Sequence, residues 1–125
     1  MTTTETERNR KIVLDGFAEF ARGNRDVLRT LIAADFVEHS PGNPSGRDAF
    51  IEHILNSPFA RSRLEVKRVI ADGAYVVIHY RMVEPGEERG TAVVDIVRMQ
   101  DGLIVEHWDV LQPVPEPGLV PNGMF

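Results

Sequence analysis

Two periodicities divide the chain near Ala60. Before it apolar residues recur at helical spacing, and after it they alternate with polar ones. From about Glu5 to Arg22 the positions Ile12, Val13, Phe17, Phe20 and Ala21 predict an amphipathic helix, with Gly23 as its stop. A short second helix is expected from Arg25 to about Ala33, with Val27, Leu28, Leu31 and Ile32 inward. Asp35 to Ser40 reads as a brief extended piece entering the Pro41-Gly42-Asn43-Pro44 loop. A third helix is expected from near Gly46 to before Pro58, with Phe50, Ile51, Ile54 and Leu55 as its stripe. The alternating half predicts strands over Leu64 to Ala71, Tyr75 to Val83, Thr91 to Met99 and Leu103 to Gln112.

Helices first and strands afterwards indicate an α+β domain, with N-terminal helices packed on one face of a curved antiparallel sheet. A chain of 125 residues fits one domain, spanning 1–125, with a core that needs no staples. The Pro-rich end from Gln112 to Phe125 cannot extend a central strand and is expected to wrap over a surface.

The last two strands carry an anomaly. Asp95, His107 and Asp109 stand where alternation would otherwise place core residues. An unpaired carboxylate buried there would cost several kcal/mol, so these groups are expected to serve a purpose. Their relative facing depends on the turn. A two-residue Asp101-Gly102 loop sets Asp95 opposite Trp108 and sends His107 and Asp109 to the other face. A three-residue Gln100-Asp101-Gly102 loop sets Asp95 opposite His107 and Val93 opposite Asp109. All three polar groups then share a face with Val97 and Val105, and Ile104, Glu106 and Trp108 lie behind them. The three-residue loop is favoured, because it gathers the polar groups and places Gly102 in the left-handed conformation.

Composition narrows the chemistry. With no cysteine there is no disulfide framework, thiolate metal site or cysteine nucleophile. A net charge of −5 and a sequence pI near 5.3 argue against a nucleic-acid surface. No apolar run approaches the ~20 residues of a membrane span, and the polar segment Met1 to Arg10 is unlike a secretory signal, so a soluble cytoplasmic protein is expected. Glycine-rich phosphate loops, a Gly-x-Ser-x-Gly elbow and a zinc-helix histidine pair are all missing. His39, His79 and His107 with the two aspartates do not form an obvious iron-ligand motif, and no metal or cofactor is expected.

The order of elements, with Phe36-Val37-Glu38-His39-Ser40-Pro41, Ile78-His79-Tyr80, Val94-Asp95-Ile96-Val97-Arg98 and the run from Asp101 to Glu116, resembles the NTF2-like cone fold. Within that fold the chain resembles the SnoaL-like polyketide-cyclase group, in particular small bacterial proteins of predicted aldol-condensation type. The resemblance implies a cone-shaped pocket between the helices and the concave face of the sheet, and an outer face that often makes a dimer. It also implies an acid/base aspartate late in the last strand, which Asp109 matches. Those cyclases have a histidine where this chain has Asp95.

Asp109, Asp95 and His107 are therefore the expected catalytic group of a cofactor-independent acid/base enzyme on a small or polycyclic carbonyl compound, of aldol, cyclisation or isomerisation type. Phe17, Phe50, Val97, His39 and His79 are the expected wall contacts for an apolar carbonyl ligand. A homodimer is expected through the outer sheet face, where Trp108 would sit. Two rivals share the scaffold: a non-catalytic small-molecule-binding module, and a hydrolase of epoxide or lactone type whose aspartates activate water.

Overall fold

The first helix, α1 (Glu5–Ala21), begins at a reciprocal cap. The Thr4 hydroxyl accepts from the Glu7 N–H, and the Glu7 carboxylate accepts from the Thr4 N–H. Its inward stripe buries Asn9, Val13, Gly16 and Phe20. Gly16 is there for closeness: a Cβ would press on the tip of the Leu31 side chain, so glycine lets α1 and α2 (Val27–Leu31) approach without displacing it. The N-terminal turns of α1 grip the next hairpin, with Asn9 donating to the Gly73 carbonyl and the Gly73 N–H donating to Thr6. The computed structural model describes residues 3–125; Met1 and Thr2, which open the polar N-terminal segment, lie outside it.

The second helix is shorter than its periodicity predicts. Ile32 and Ala33, expected at its end, instead open strand β1 (Ile32–Glu38), where both are buried. Helix α3 (Arg47–Leu55) and a 3-10 turn at Pro58–Arg61 follow, then β2 (Arg63–Asp72), β3 (Tyr75–Val83), β4 (Thr91–Gln100) and β5 (Leu103–Pro113). The sheet order is β1-β5-β4-β3-β2. Strands β2 to β5 are antiparallel neighbours, and β1 joins β5 in parallel, which makes the sheet mixed. The tail after β5 forms one more 3-10 turn at Pro117–Leu119. Among the described residues no helix is long and apolar enough to cross a membrane.

The turn that decides the facing of the polar residues has two residues, not the expected three. Gln100 pairs with Leu103, and Asp101 (φ 52°) and Gly102 (φ 79°) both take the left-handed conformation of a tight hairpin. Taken alone this would part Asp95 from Asp109. A bulge reverses the outcome: Arg98 pairs with Glu106 but Met99 with Ile104, so Val105 is an extra residue in β5. The slip of one position puts Asp95 directly opposite Asp109 and Val97 opposite His107. Ile104 moves to the concave face, where Val105 was expected. Asp95 does not face His107 and Val93 does not face Asp109, yet the three polar residues share one face.

Two apolar clusters meet that face. Val13 packs with Val76, Ile78, Tyr80, Val93, Val97 and Met99 of β3 and β4. Ile32, Phe36, Phe50 and Ile51 form the second, under α3, and Ile104 touches both. Between them lies a cavity of about 150 Å³.

Candidate active site

Strand β5 carries the polar end of the cavity. Its alternation after the bulge points His107 and Asp109 inward and Glu106 and Trp108 outward. The parallel neighbour β1 brings Glu38 beside His107 and ends there, so that the following residues turn over the pocket. His107 is held at both ring nitrogens, with Nδ1 2.7 Å from a Glu38 oxygen and Nε2 3.0 Å from an Asp95 oxygen. The same Glu38 oxygen accepts from the backbone N–H groups of His39 and Ser40, and its partner oxygen accepts from Asn43. The Ser40 hydroxyl donates to Asp109 at 2.9 Å.

The electrostatics follow from this ring of contacts. Burial opposes a charge on His107, but the hydrogen bonds and charges of Asp95 and Glu38 outweigh it, and its pKa rises to about 10. His107 is thus an imidazolium at neutral pH. Burial would likewise raise Glu38, whose side chain is wholly enclosed, but His107, the Ser40 N–H and Asn43 together hold it below the ordinary value. Asp109 moves the other way. Its burial raises its pKa, Ser40 and His107 pull against that, and the neighbouring Asp95 and Glu38 add to it. The Tyr80 hydroxyl, buried and next to Asp95, is pushed well above its usual range by burial first and by that carboxylate second.

One carboxyl therefore has its pKa raised, while a second, directly across the hairpin, is held beside an imidazolium. Such a pair can donate and accept across one bound molecule. One donor atom from each of Asp95, His107 and Asp109 also lies within 4.8 Å of the others, close enough to converge on one cation. Both His107 nitrogens, however, already face carboxylates, so a cation there would first have to displace the proton shared between Nε2 and Asp95. As arranged, the cluster is a hydrogen-bonded relay.

Phe17, Phe50 and Val97 line the cavity with the three polar residues. His39 and His79 do not, and the expectation that they form its wall is corrected here. His39 points to the outer face because it alternates with Glu38 and Ser40. Its Nε2 lies 2.6 Å from Glu106, and its ring stacks at 4.9 Å on Trp108. His79 alternates with the buried Ile78 and Tyr80, so it too faces outward, against Arg68 and the ring of Phe125. Of these three histidines only His107 stands in the pocket. Glu38, Ser40 and Asn43 were missed by sequence reasoning. Their signal was a carboxylate two positions from Phe36 on a strand edge, legible only once β1 is known to pair with β5.

A model of the SnoaL-like domain matches residues 13–107. The chain belongs to the SnoaL-like family. Solved structures share its fold across nearly the whole length. A proposed ketosteroid isomerase from Kribbella flavida superposes with a TM-score of 0.77 at 21% identity, covering 95% of this chain and 91% of that one. A proposed SnoaL-like polyketide cyclase from Jannaschia superposes at 0.73 and 22%, covering 90% of each chain. An NTF2-like protein of unknown function from Burkholderia xenovorans superposes at 0.80 and 20%, covering 98% of each. No curated protein matches the sequence. At these identities the structural likeness establishes the NTF2-like α+β fold, and the SnoaL-like domain's chemistry has to be argued from its own residues.

Proposed function

We propose that this SnoaL-like domain is an acid/base enzyme acting on a carbonyl compound, with Asp109 as the proton donor and Asp95 as the acceptor. The supporting observation is the direct cross-strand pairing of the two aspartates at the polar end of an apolar cavity, one of them bound to the His107 imidazolium. The pocket is poor in positive charge, so a free enolate would be badly held. A neutral enol avoids that penalty. Asp109 delivers its proton to the carbonyl oxygen while the Asp95 carboxylate removes a proton from the adjacent carbon. The enol then collapses with its O–H proton returned to Asp109 while Asp95 delivers its proton to carbon, at the far end of the conjugated system where the ketone is unsaturated. Alternatively, the enol carbon adds to a second carbonyl, whose oxygen takes the Asp95 proton as the enol O–H proton returns to Asp109. Ser40 orients Asp109, and the Glu38–His107 pair orients Asp95.

The test is exchange of the protons next to the carbonyl of a bound ketone in deuterated buffer. Asp109→Asn and Asp95→Asn are each expected to slow it about 10²–10⁴-fold, the usual worth of a positioned general acid or base. Exchange that survives both substitutions removes the assignment and favours a binding module.

The outer face supports a further part of this reading, a homodimer. Trp108 lies there with Tyr75, Ile70 and Val110, and the last three are exposed. Sedimentation is expected to show a dimer that Val110→Glu weakens; a monomer for the unmodified chain at micromolar concentration would refute it.

A further inference from the structure

The lining of the cavity is one-sided in charge. Its ionisable members are Asp95, His107, Asp109 and Tyr80, and neither lysine nor arginine is among them. The single cation is spent, since His107 sits between Asp95 and Glu38. Two carboxylates against one imidazolium leave one negative charge over before Asp109 is considered. Arg25 covers the Phe20 ring at 4.4 Å, but it is outside the lining, and its guanidinium donates to the Phe20 and Ala60 carbonyls. An anionic ligand would therefore give up its water for a pocket that repels it and holds no free cation to bind it.

Size sets a second limit. A dry apolar cavity of about 150 Å³ holds a benzene-sized molecule, and drug-sized ligands occupy pockets of roughly 300–1,000 Å³. At about 150 Å³ this cavity lies below that range, at the benzene-sized end. Its walls, Phe17, Phe20, Phe36, Phe50 and Phe59, match a flat ring.

We propose that the pocket takes uncharged single-ring carbonyl compounds and rejects both anions of the same size and polycyclic ketones. That the ligand is a carbonyl compound rests on the acid/base reading above; the limits on charge and size rest on the lining alone.

Three probes decide it, with dissociation constants measured by calorimetry on the full chain at pH 7. They are acetophenone, benzoate of nearly the same shape, and a four-ring steroid ketone. Acetophenone is expected to bind at least about tenfold tighter than either of the others, each tenfold being 1.4 kcal/mol. Asp95→Asn, with thermal melts to confirm folding, is expected to narrow the gap between benzoate and acetophenone. Equal or tighter binding of benzoate, or of the steroid, overturns the proposal. So does a benzoate gap that this substitution leaves unchanged, because charge would then not be its cause. Exchange of the acetophenone methyl protons in deuterated buffer reads the acid/base assignment separately. Selective binding without exchange would remove that assignment and leave the limits on charge and size standing.

Discussion

His107 and His79 stand on adjoining parts of one sheet and are driven in opposite directions. On the concave face, His107 lies between two carboxylates, and its pKa rises to about 10 despite its burial. On the convex face, His79 is lowered, first by burial and then by the charges of Arg68 and Lys67. The Arg68 guanidinium donates to its Nδ1, a contact only a neutral ring can accept. Burial works against the charged form at both sites, so the difference lies in the sign of the charges facing each ring. The concave face has gathered acids around its one cation, whereas the convex face has gathered bases around a neutral ring. Three histidines that look alike in the sequence thus divide into a pocket group and two outer-face contacts.

The largest effect is expected from removing the imidazolium. His107→Ala leaves Glu38 and Asp95 enclosed without their shared partner, and breaking a buried pair in this way costs about 3–5 kcal/mol. Urea denaturation should show that loss near neutral pH, and a loss below about 1 kcal/mol would mean that water compensates the carboxylates. The pH profile sharpens the point. A folded pKa near 10 against an unfolded value near 6.5 means that stability from this group is complete below pH 6.5. It declines as pH rises and is gone above about 10. Glu38, lowered in the fold, works from the acid side: its contribution is present above the ordinary glutamate range and is lost as pH falls through its folded value. The unmodified chain should therefore weaken on both flanks, and His107→Ala should lose the alkaline slope.

The comparison also shows what was legible in the sequence. Strand alternation and helical spacing located the helices and the four later strands, because each buries one apolar stripe in the shared core. The polar residues in β4 and β5 stood out because carboxylates interrupt an apolar strand. The turn was misread for a physical reason. Asp101 and Gly102 suffice for a tight two-residue hairpin, and the register correction comes three residues later, at Val105. A bulge there has no local signature, since valine suits a strand whether or not it is paired. Glu38 and Ser40 were hidden differently, because their importance depends on a parallel pairing across more than sixty positions of chain. His39 and His79 went astray because a histidine's facing depends on the parity of its strand.

The smallest effect is expected on the convex face, and its sign separates it from the first. His79→Ala removes a partly exposed ring whose neighbours are Arg68 and the Phe125 ring, with Lys67 and Arg81 also over that phenyl group. At neutral pH the change in stability should stay within about 0.5 kcal/mol, as for most surface substitutions. The acid flank is where His79 reports itself. A histidine lowered in the fold contributes stability that is present above its unfolded pKa near 6.5 and is lost as pH falls through its folded value. The alanine variant should lose less stability than the parent between pH 6.5 and 5. A variant that instead loses the alkaline slope would place the titrating imidazolium at His79, and the contrast between the two faces would be reversed.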